Sequence, residues 1–241
     1  MAIKSKNPAT TKPKAARPRA TTRAVNHALA PDRIAAILKA LDEAYPRVEC
    51  ALTHHSPWEL LVATILSAQC TDVRVNLVTP ELFRRFPTPQ KMSKATLPQL
   101  EALIRTTGFF RNKAKSIQGA ARKIVAEFNS QVPQTLAELI TIPGAARKTA
   151  NVVLGVSFNK AEGVVVDTHV FRIARRLGLA KGDTPQKVEQ ELMRILPQDR
   201  WIAFSHQIIH HGRQVCLARK PKCERCNLEQ LCTSTDKTWR S

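Results

Sequence analysis

The sequence predicts an all-α fold. After residue 30, apolar residues recur at the helical period through most of the chain, and the segments between these patterns are short and carry Pro or Gly, as at Pro87, Gly108 and Pro133. Only Val164 to Val166 have the apolar, β-branched character of a strand, and three residues do not make a sheet. Because 43% of the 241 residues are hydrophobic, the chain can bury a sizeable core.

The first helix is predicted to begin at Pro31-Asp32, since Pro fits a first helical turn and the apolar positions Ile34, Ile37 and Leu38 follow at helical spacing. The remaining patterns predict helices over Trp58 to Ala68, Val73 to Phe86, Leu97 to Thr106, Lys113 to Phe128, Leu136 to Ile140, Arg147 to Phe158, Thr168 to Leu177, Pro185 to Leu196 and Trp201 to His211.

The charge balance indicates a polyanionic partner. Lys and Arg number 38 against 19 Asp and Glu, which gives a formal net charge of +19. Residues 1–29 are rich in Lys, Arg, Pro, Ala and Thr, lack apolar periodicity and contain no acidic residue. We expect this segment to be a disordered basic tail that acts either as a solubilising extension or as a nonspecific tether on duplex DNA.

The chain is expected to be soluble and intracellular. No apolar segment follows the basic residues as a secretory signal would require, and no apolar run has the length of a membrane span. In a reducing compartment its six cysteines are expected to stay free of disulfides, and metal ligation is then the favoured use of clustered thiols.

Four of the cysteines form a compact group near the C-terminus. Their spacing is C-x6-C-x2-C-x5-C, and its members are Cys216, Cys223, Cys226 and Cys232. A structural zinc site usually has two C-x2-C pairs, whereas a single pair flanked by lone cysteines suits a cuboidal iron-sulfur cluster better, so we favour a 4Fe-4S cluster over zinc. Cys50 and Cys70 are expected to be small buried hydrophobes.

Cations lie between the first two of these cysteines, Arg219 and Lys220 among them. They can offset the negative charge of four thiolates. A loop held by a metal centre would also fix them in place, and they could then neutralise phosphates with little loss of side-chain entropy.

Residues 136–158 predict a helix-hairpin-helix. A short helix is followed by Ile142-Pro143-Gly144-Ala145-Ala146 and then by a longer helix that begins at Arg147-Lys148. Gly144 lets the backbone approach a phosphate closely, and the unpaired N–H groups of the second helix attract an anion. The helix dipole there favours a neutral Lys148 amine, suited to nucleophilic attack, although Lys148 could equally be a phosphate contact beside Arg147.

Asp167 ends the apolar run Val164 to Val166 and precedes the helix that begins at Thr168. It is expected to cap that helix. A carboxylate near an amine could also stabilise cationic character developing on a deoxyribose. His169, two residues on, is expected to pack or hydrogen-bond within its helix.

These motifs together resemble the endonuclease III family in order and spacing. The resemblance rests on Ile142 to Val153, Val166 to His169, the four cysteines, and the segment Ser67 to Asp72. It implies a six-helix barrel domain of residues 50–161 that contains the hairpin, an iron-sulfur domain of residues 30–49 and 162–241, and a DNA cleft between them. It also implies that Lys148 is the nucleophile and Asp167 its catalytic partner.

The resemblance further implies that oxidised pyrimidines such as thymine glycol are removed from duplex DNA after the nucleotide is flipped out. Gln69 would then fill the vacated space and Phe109 would be the wedge in the opposite strand. Ala146 stands where the family usually has a second Gly. We expect its Cβ to crowd a phosphate, or to cost about 1 kcal/mol if the backbone needs a positive φ.

The expected protein is a monomeric, bifunctional DNA glycosylase and AP lyase that acts on damaged double-stranded DNA, in the cytoplasm with the bacterial nucleoid or otherwise inside the cell with DNA. Two alternatives remain. A mismatch adenine glycosylase would share the fold and the cluster but act without a covalent lysine, and a noncatalytic iron-sulfur module would only bind DNA.

Overall fold

The computed structural model describes residues 29–238, and the predicted basic tail therefore lies almost wholly outside the described residues. Eleven α-helices occur in the described part: α1 Pro31–Ala44, α2 Pro57–Leu66, α3 Asp72–Arg85, α4 Pro89–Ser93, α5 Leu97–Ile104, α6 Phe110–Glu127, α7 Leu136–Leu139, α8 Arg147–Phe158, α9 Thr168–Arg176, α10 Pro185–Ile195 and α11 Trp201–Gln214. Short 3-10 turns lie at Arg105–Thr107, Gln198–Arg200 and Cys223–Arg225.

The all-α prediction is confirmed. Every predicted helix is present, and no β-strand occurs between residues 29 and 238. The strand-like run at Val164 to Val166 is instead an extended connection, whose Val165 N–H donates to the hydroxyl of Ser205 at 3.1 Å. The short helix α4 was not predicted, because its five residues are too few to show a helical period, although the N-cap Thr88 before Pro89 is a start signal.

Local capping fixes where the helices begin. At the N-termini of six helices a hydroxyl side chain accepts a hydrogen bond from a backbone N–H three residues later. These N-cap residues are Ser56, Thr71, Thr88, Thr96, Thr135 and Thr184. At α5 the cap is reciprocal, since Gln99 also bonds back to the backbone of Thr96. Within the described residues, no helix is both long and apolar enough to cross a membrane.

Two hydrophobic cores form. The first lies among helices α2 to α8, with fully buried Leu60, Leu66, Leu100 and Ile117 at its centre. The second joins α1 to α9, α10 and α11, and contains Ile37, Leu41, Val170, Leu192 and Phe204. The chain therefore begins in the second core with α1, forms the first core with α2 to α8, and returns to the second core with α9 to α11.

Candidate active site and metal centre

A cleft runs between the two cores and encloses about 860 Å³, which includes space open to solvent. One wall comes from α2, α8 and the segment before α2, and the opposite wall comes from α11 and the extended connection that leads into α9. The side chains that line it include Ser67, Lys148, Asn151, Asp167, His206 and Arg213. Lys148 and Asp167, which are 19 positions apart in the sequence, therefore reach the same cavity.

The turn before α8 depends on one glycine. Gly144 has φ +83°, a left-handed conformation that a side chain disfavours. A Cβ at this position would also lie 2.9 Å from Cβ of Ser116 and 3.1 Å from Cγ2 of Ile65. Gly144 is therefore needed for the backbone conformation and for the close packing of the turn on α2 and α6.

Ala146, by contrast, is the N-cap of α8 and has φ −69° and ψ 168°. This is extended backbone that any residue adopts, so the expected cost of a positive φ is wrong. The reason is that the left-handed residue of this turn is Gly144, two positions earlier. Crowding of a phosphate by the Ala146 methyl group stays a prediction.

Lys148 lies in the first turn of α8 and is exposed. Asp167 is half-buried and caps α9, since its Oδ1 accepts the N–H groups of both His169 and Val170 at 2.8 Å. The predicted cap is thus confirmed. Oδ2 of Asp167 accepts no hydrogen bond from any residue that the structure describes, and it remains available to the cleft.

His169 also behaves as expected, because Nδ1 of its ring lies 3.3 Å from Nη2 of Arg172 on the same helix. The ring packs closely on α11, where a Cβ at Gly212 would lie 2.7 Å from the same nitrogen. Burial lowers the pKa of His169 below its ordinary value.

Arg147, predicted to contact phosphate, pairs with a residue that sequence reasoning missed. Its Nε donates to both carboxylate oxygens of Glu189 on α10, at 3.1 and 2.9 Å. Glu189 is only 6% exposed, and its hydrogen bond to Arg147 raises the pKa of that guanidinium. No local motif marks Glu189, because its partner lies 42 residues away.

The two predicted wedge residues share an unusual backbone. Gln69 has φ 51° and Phe109 has φ 46°, both in the left-handed region that non-glycine residues rarely adopt. Gln69 is exposed and Phe109 is 64% exposed, so the latter is not an ordinary core aromatic. Such strained conformations at exposed loop tips concentrate at functional sites. Phe110, the next residue, packs against the first core instead.

Four cysteines surround a second cavity, of about 340 Å³ including open space, between the end of α9 and the C-terminal loop. They are the predicted ligands Cys216, Cys223, Cys226 and Cys232. Among the described residues, no three His, Cys, Asp or Glu side chains gather tightly enough to hold a single metal ion. Four cysteines that line one cavity fit the four-thiolate ligand set of a cuboidal iron-sulfur cluster.

The surroundings of the four thiols also fit a cationic centre. Burial raises the pKa of the Cys226 thiol to about 11 and raises that of Cys232. Buried thiols of this kind lose their protons when a bound metal centre compensates the negative charge. Arg176 on α9 donates from Nη1 to the sulfur of Cys216 at 3.3 Å, and the buried His211 ring lies 3.5 Å from the sulfur of Cys226.

Arg219 and Lys220 are exposed on the loop between the first two cysteines, and Lys220 has φ 51°. Cys50 and Cys70 are half-buried against the first core, which makes them less buried than expected. Cys50 also lines the cleft, and burial raises its pKa. Across the cleft, Arg213 on α11 donates to Asp72 at the start of α3, at 2.6 Å, and so links the two walls.

Comparisons with known proteins agree with this arrangement. Residues 62–198 match the family model of the HhH-GPD superfamily base excision DNA repair protein, and residues 216–232 match the iron-sulfur binding domain of endonuclease III. Endonuclease III of Synechocystis sp. is 55% identical over 202 residues, which cover 84% of this chain and 92% of that protein.

Solved structures are also similar. A non-covalent endonuclease III–DNA complex matches with a TM-score of 0.80 and 40% identity, and a trapped endonuclease III–DNA covalent intermediate matches with a TM-score of 0.80 and 41% identity. Each match covers 84% of this chain and 95% of the other.

Proposed function

We propose that Lys148 and Asp167 carry out the reaction of this chain. The chain belongs to the endonuclease III family, and it is a base excision repair DNA glycosylase and AP lyase with a 4Fe-4S cluster. The observation that carries the proposal is that the two side chains reach one cleft between the two cores. The covalent DNA intermediate trapped in a similar endonuclease III supports an amine nucleophile.

The proposed reaction starts when the Nζ of Lys148 attacks C1′ of a flipped nucleotide. The bond from C1′ to the base breaks, the base leaves with its electron pair and takes up a proton, and the free Oδ2 of Asp167 stabilises the positive charge that develops on the sugar. Ring opening then gives a Schiff base between Lys148 and C1′. This imine acidifies the C2′ proton, and a base removes that proton. A C2′–C3′ double bond forms while the bond from C3′ to the 3′ phosphate oxygen breaks, so the phosphate leaves with that electron pair. Hydrolysis of the imine then frees the lysine.

The substrate is proposed to be duplex DNA that carries an oxidised pyrimidine. The hairpin would hold a backbone phosphate with Gly144, Ala146 and Arg147, since the N–H groups at the start of α8 attract an anion. Gln69 and Phe109 would replace the stacking that the flipped nucleotide leaves behind, and their exposure at two loop tips supports this role.

The four cysteines would hold the cluster outside the cleft. The bound cluster pins the loop from Cys216 to Cys223, and Arg219 and Lys220 on that loop would meet further phosphates. We also propose that the two cores are two domains, residues 50–161 and residues 30–49 with 162–241, and that the protein acts as a monomer on the DNA of its cell, with the nucleoid.

Borohydride trapping tests the assignment of Lys148. Wild-type protein and duplex with thymine glycol should give a covalent adduct and a cut strand, whereas Lys148→Ala should give neither. Lys91→Ala removes the same charge from an exposed position on α4 and should trap normally. An adduct formed by Lys148→Ala would refute the assignment.

The same assay separates the alternatives. Loss of the base without adduct or strand cleavage by the wild type would indicate monofunctional chemistry with an activated water. Binding without loss of the base would indicate a noncatalytic module.

A further inference from the structure

Glu189 joins the second core to the helix that carries Lys148. It lies on α10, and its carboxylate is almost fully buried. Oε1 accepts from Nδ2 of Asn151 at 3.0 Å, and both oxygens accept from Nε of Arg147. One carboxylate therefore holds two residues of the first turns of α8, on either side of Lys148 in the sequence.

The way in which Arg147 is held leaves it able to bind an anion. Only its Nε contacts Glu189, and neither Nη1 nor Nη2 hydrogen-bonds to any residue in the described part of the chain. The side chain is 46% exposed. A free arginine loses rotamer freedom when it binds a phosphate, and an arginine already held at Nε has lost much of that freedom beforehand.

A glycine leaves space for the contact between Glu189 and Asn151. Gly163, at the start of the extended connection, is buried, and a Cβ there would overlap Oε1 of Glu189 and lie 2.5 Å from Nδ2 of Asn151. Glycine thus leaves room for the carboxylate and the amide to meet. The amide orientation of Asn151 is fixed by this bond, and its Oδ1 is buried without a hydrogen-bond partner among the described residues while Asn151 lines the cleft.

We propose that Glu189 is a positioning residue for DNA binding and for the lysine chemistry: it holds Arg147 ready for a backbone phosphate and fixes the turn of α8 on which Lys148 lies. The inference rests on the proposed function, in which the hairpin binds phosphate. Glu189 touches no substrate in this arrangement and acts through Arg147 and Asn151.

The sign of a charge change distinguishes this role from simple electrostatics. Removing a negative charge near a DNA-binding surface should strengthen binding when only the long-range field matters. Removing a positioning contact should weaken it. Glu162 provides a matched control, because it is exposed, lies close enough to raise the pKa of Arg147, and makes no hydrogen bond or ion pair with any described residue.

The experiment measures the Kd of the holoenzyme for a duplex with a tetrahydrofuran abasic analogue, which cannot be cleaved, at several salt concentrations. Glu189→Gln is expected to weaken binding about 3- to 10-fold, the effect of freeing one rotamer-rich side chain, and to lower the salt slope. Glu162→Gln removes the same charge and should leave the Kd unchanged or lower it. Gly163→Ala displaces the carboxylate without a charge change and should weaken binding like Glu189→Gln.

A fourth variant, Arg147→Ala, and its combination with Glu189→Gln distinguish the loss of positioning from a general folding defect. Arg147→Ala should weaken binding and lower the salt slope by about one. Adding Glu189→Gln to it should cost much less in Kd than Glu189→Gln costs alone, because only the contact with Asn151 is then left to lose. The inference is overturned if Glu189→Gln binds as tightly as Glu162→Gln, or if the two losses at Arg147 and Glu189 simply add. The proposed function would survive either result, because it is tested separately by borohydride trapping of the wild type and of Lys148→Ala on damaged duplex.

Discussion

Asp167 has two tasks in the proposed mechanism, and a pair of substitutions separates them. Its Oδ1 caps α9 through two N–H groups at 2.8 Å, and its Oδ2 is proposed to stabilise charge on the sugar. Asp167→Ala removes both functions. Asp167→Asn keeps an oxygen acceptor for the cap, because Asn and Asp are about equally good N-caps, but removes the negative charge.

The stability cost can be worked out from the cap. Loss of a capping side chain costs about 0.5 to 2 kcal/mol, and about 2 to 4 °C of Tm accompany each kcal/mol in a chain of this size. Asp167→Ala should therefore lower Tm by about 1 to 8 °C. Asp167→Asn loses only the attraction between charge and helix dipole, about 0.3 to 1 kcal/mol, and should lower Tm by no more than about 4 °C.

Base removal should respond differently from stability. Both substitutions should slow excision of thymine glycol by about 100- to 1,000-fold under single-turnover conditions, which is the usual loss when one group that stabilises transition-state charge is removed. Thermal melts followed by circular dichroism give the stability of the same samples. If Asp167→Asn excises the base at the wild-type rate, the carboxylate charge is not needed and Asp167 is only a cap.

Three further outcomes follow from the turn and wedge residues. Gly144→Ala should destabilise the fold in thermal melts by more than the about 1 kcal/mol that a positive φ costs alanine, because the new Cβ would also lie 2.9 Å from Cβ of Ser116 and 3.1 Å from Cγ2 of Ile65. A loss of about 1 kcal/mol or less would contradict this. Phe109→Ala should slow excision while Tm changes by no more than a few degrees, because the ring is 64% exposed, and an unchanged excision rate would remove the wedge role. Ala146→Gly should tighten binding to the abasic-analogue duplex if the methyl group crowds a phosphate, and an unchanged Kd would exclude that crowding.

The helices could be predicted from the sequence because each one needs a local apolar period and a local start signal. The patterns behind α1, α5 and α10 are of this kind, and the structure has helices at those places. Local signals failed where the outcome depends on distant residues. Val164 to Val166 have strand propensity, but no second strand lies beside them within residues 29–238, and the Val165 N–H donates to Ser205 on α11 instead.

In the site too, residues in local motifs could be predicted, and contacts between distant residues could not. Lys148, Asp167 and the cysteines lie in motifs of fixed spacing, so their positions could be named in advance. Glu189 and the Asp72–Arg213 pair could not, because each contact joins an element of the first core to an element of the second, 42 and 141 positions apart. The backbone conformation of Ala146 could not be predicted either. The motif indicates that the turn needs one residue with a positive φ, but it does not indicate which position has it.

Helix α9 connects the metal centre to the cleft. Asp167 caps its N-terminus, while Arg172 donates to the backbone oxygen of Cys216 at 2.7 Å and Arg176 donates to the sulfur of the same residue. A helix of nine residues is short and stiff, about 14 Å long at 1.5 Å per residue. Contacts that hold its C-terminal end in place therefore also restrict the motion of its N-terminal end. Removal of the cluster should therefore loosen α9 and reduce hydrogen-exchange protection of its amides, including those of His169 and Val170 that Asp167 caps. Unchanged protection of these amides in cluster-free protein would show that the carboxylate is held by the second core alone.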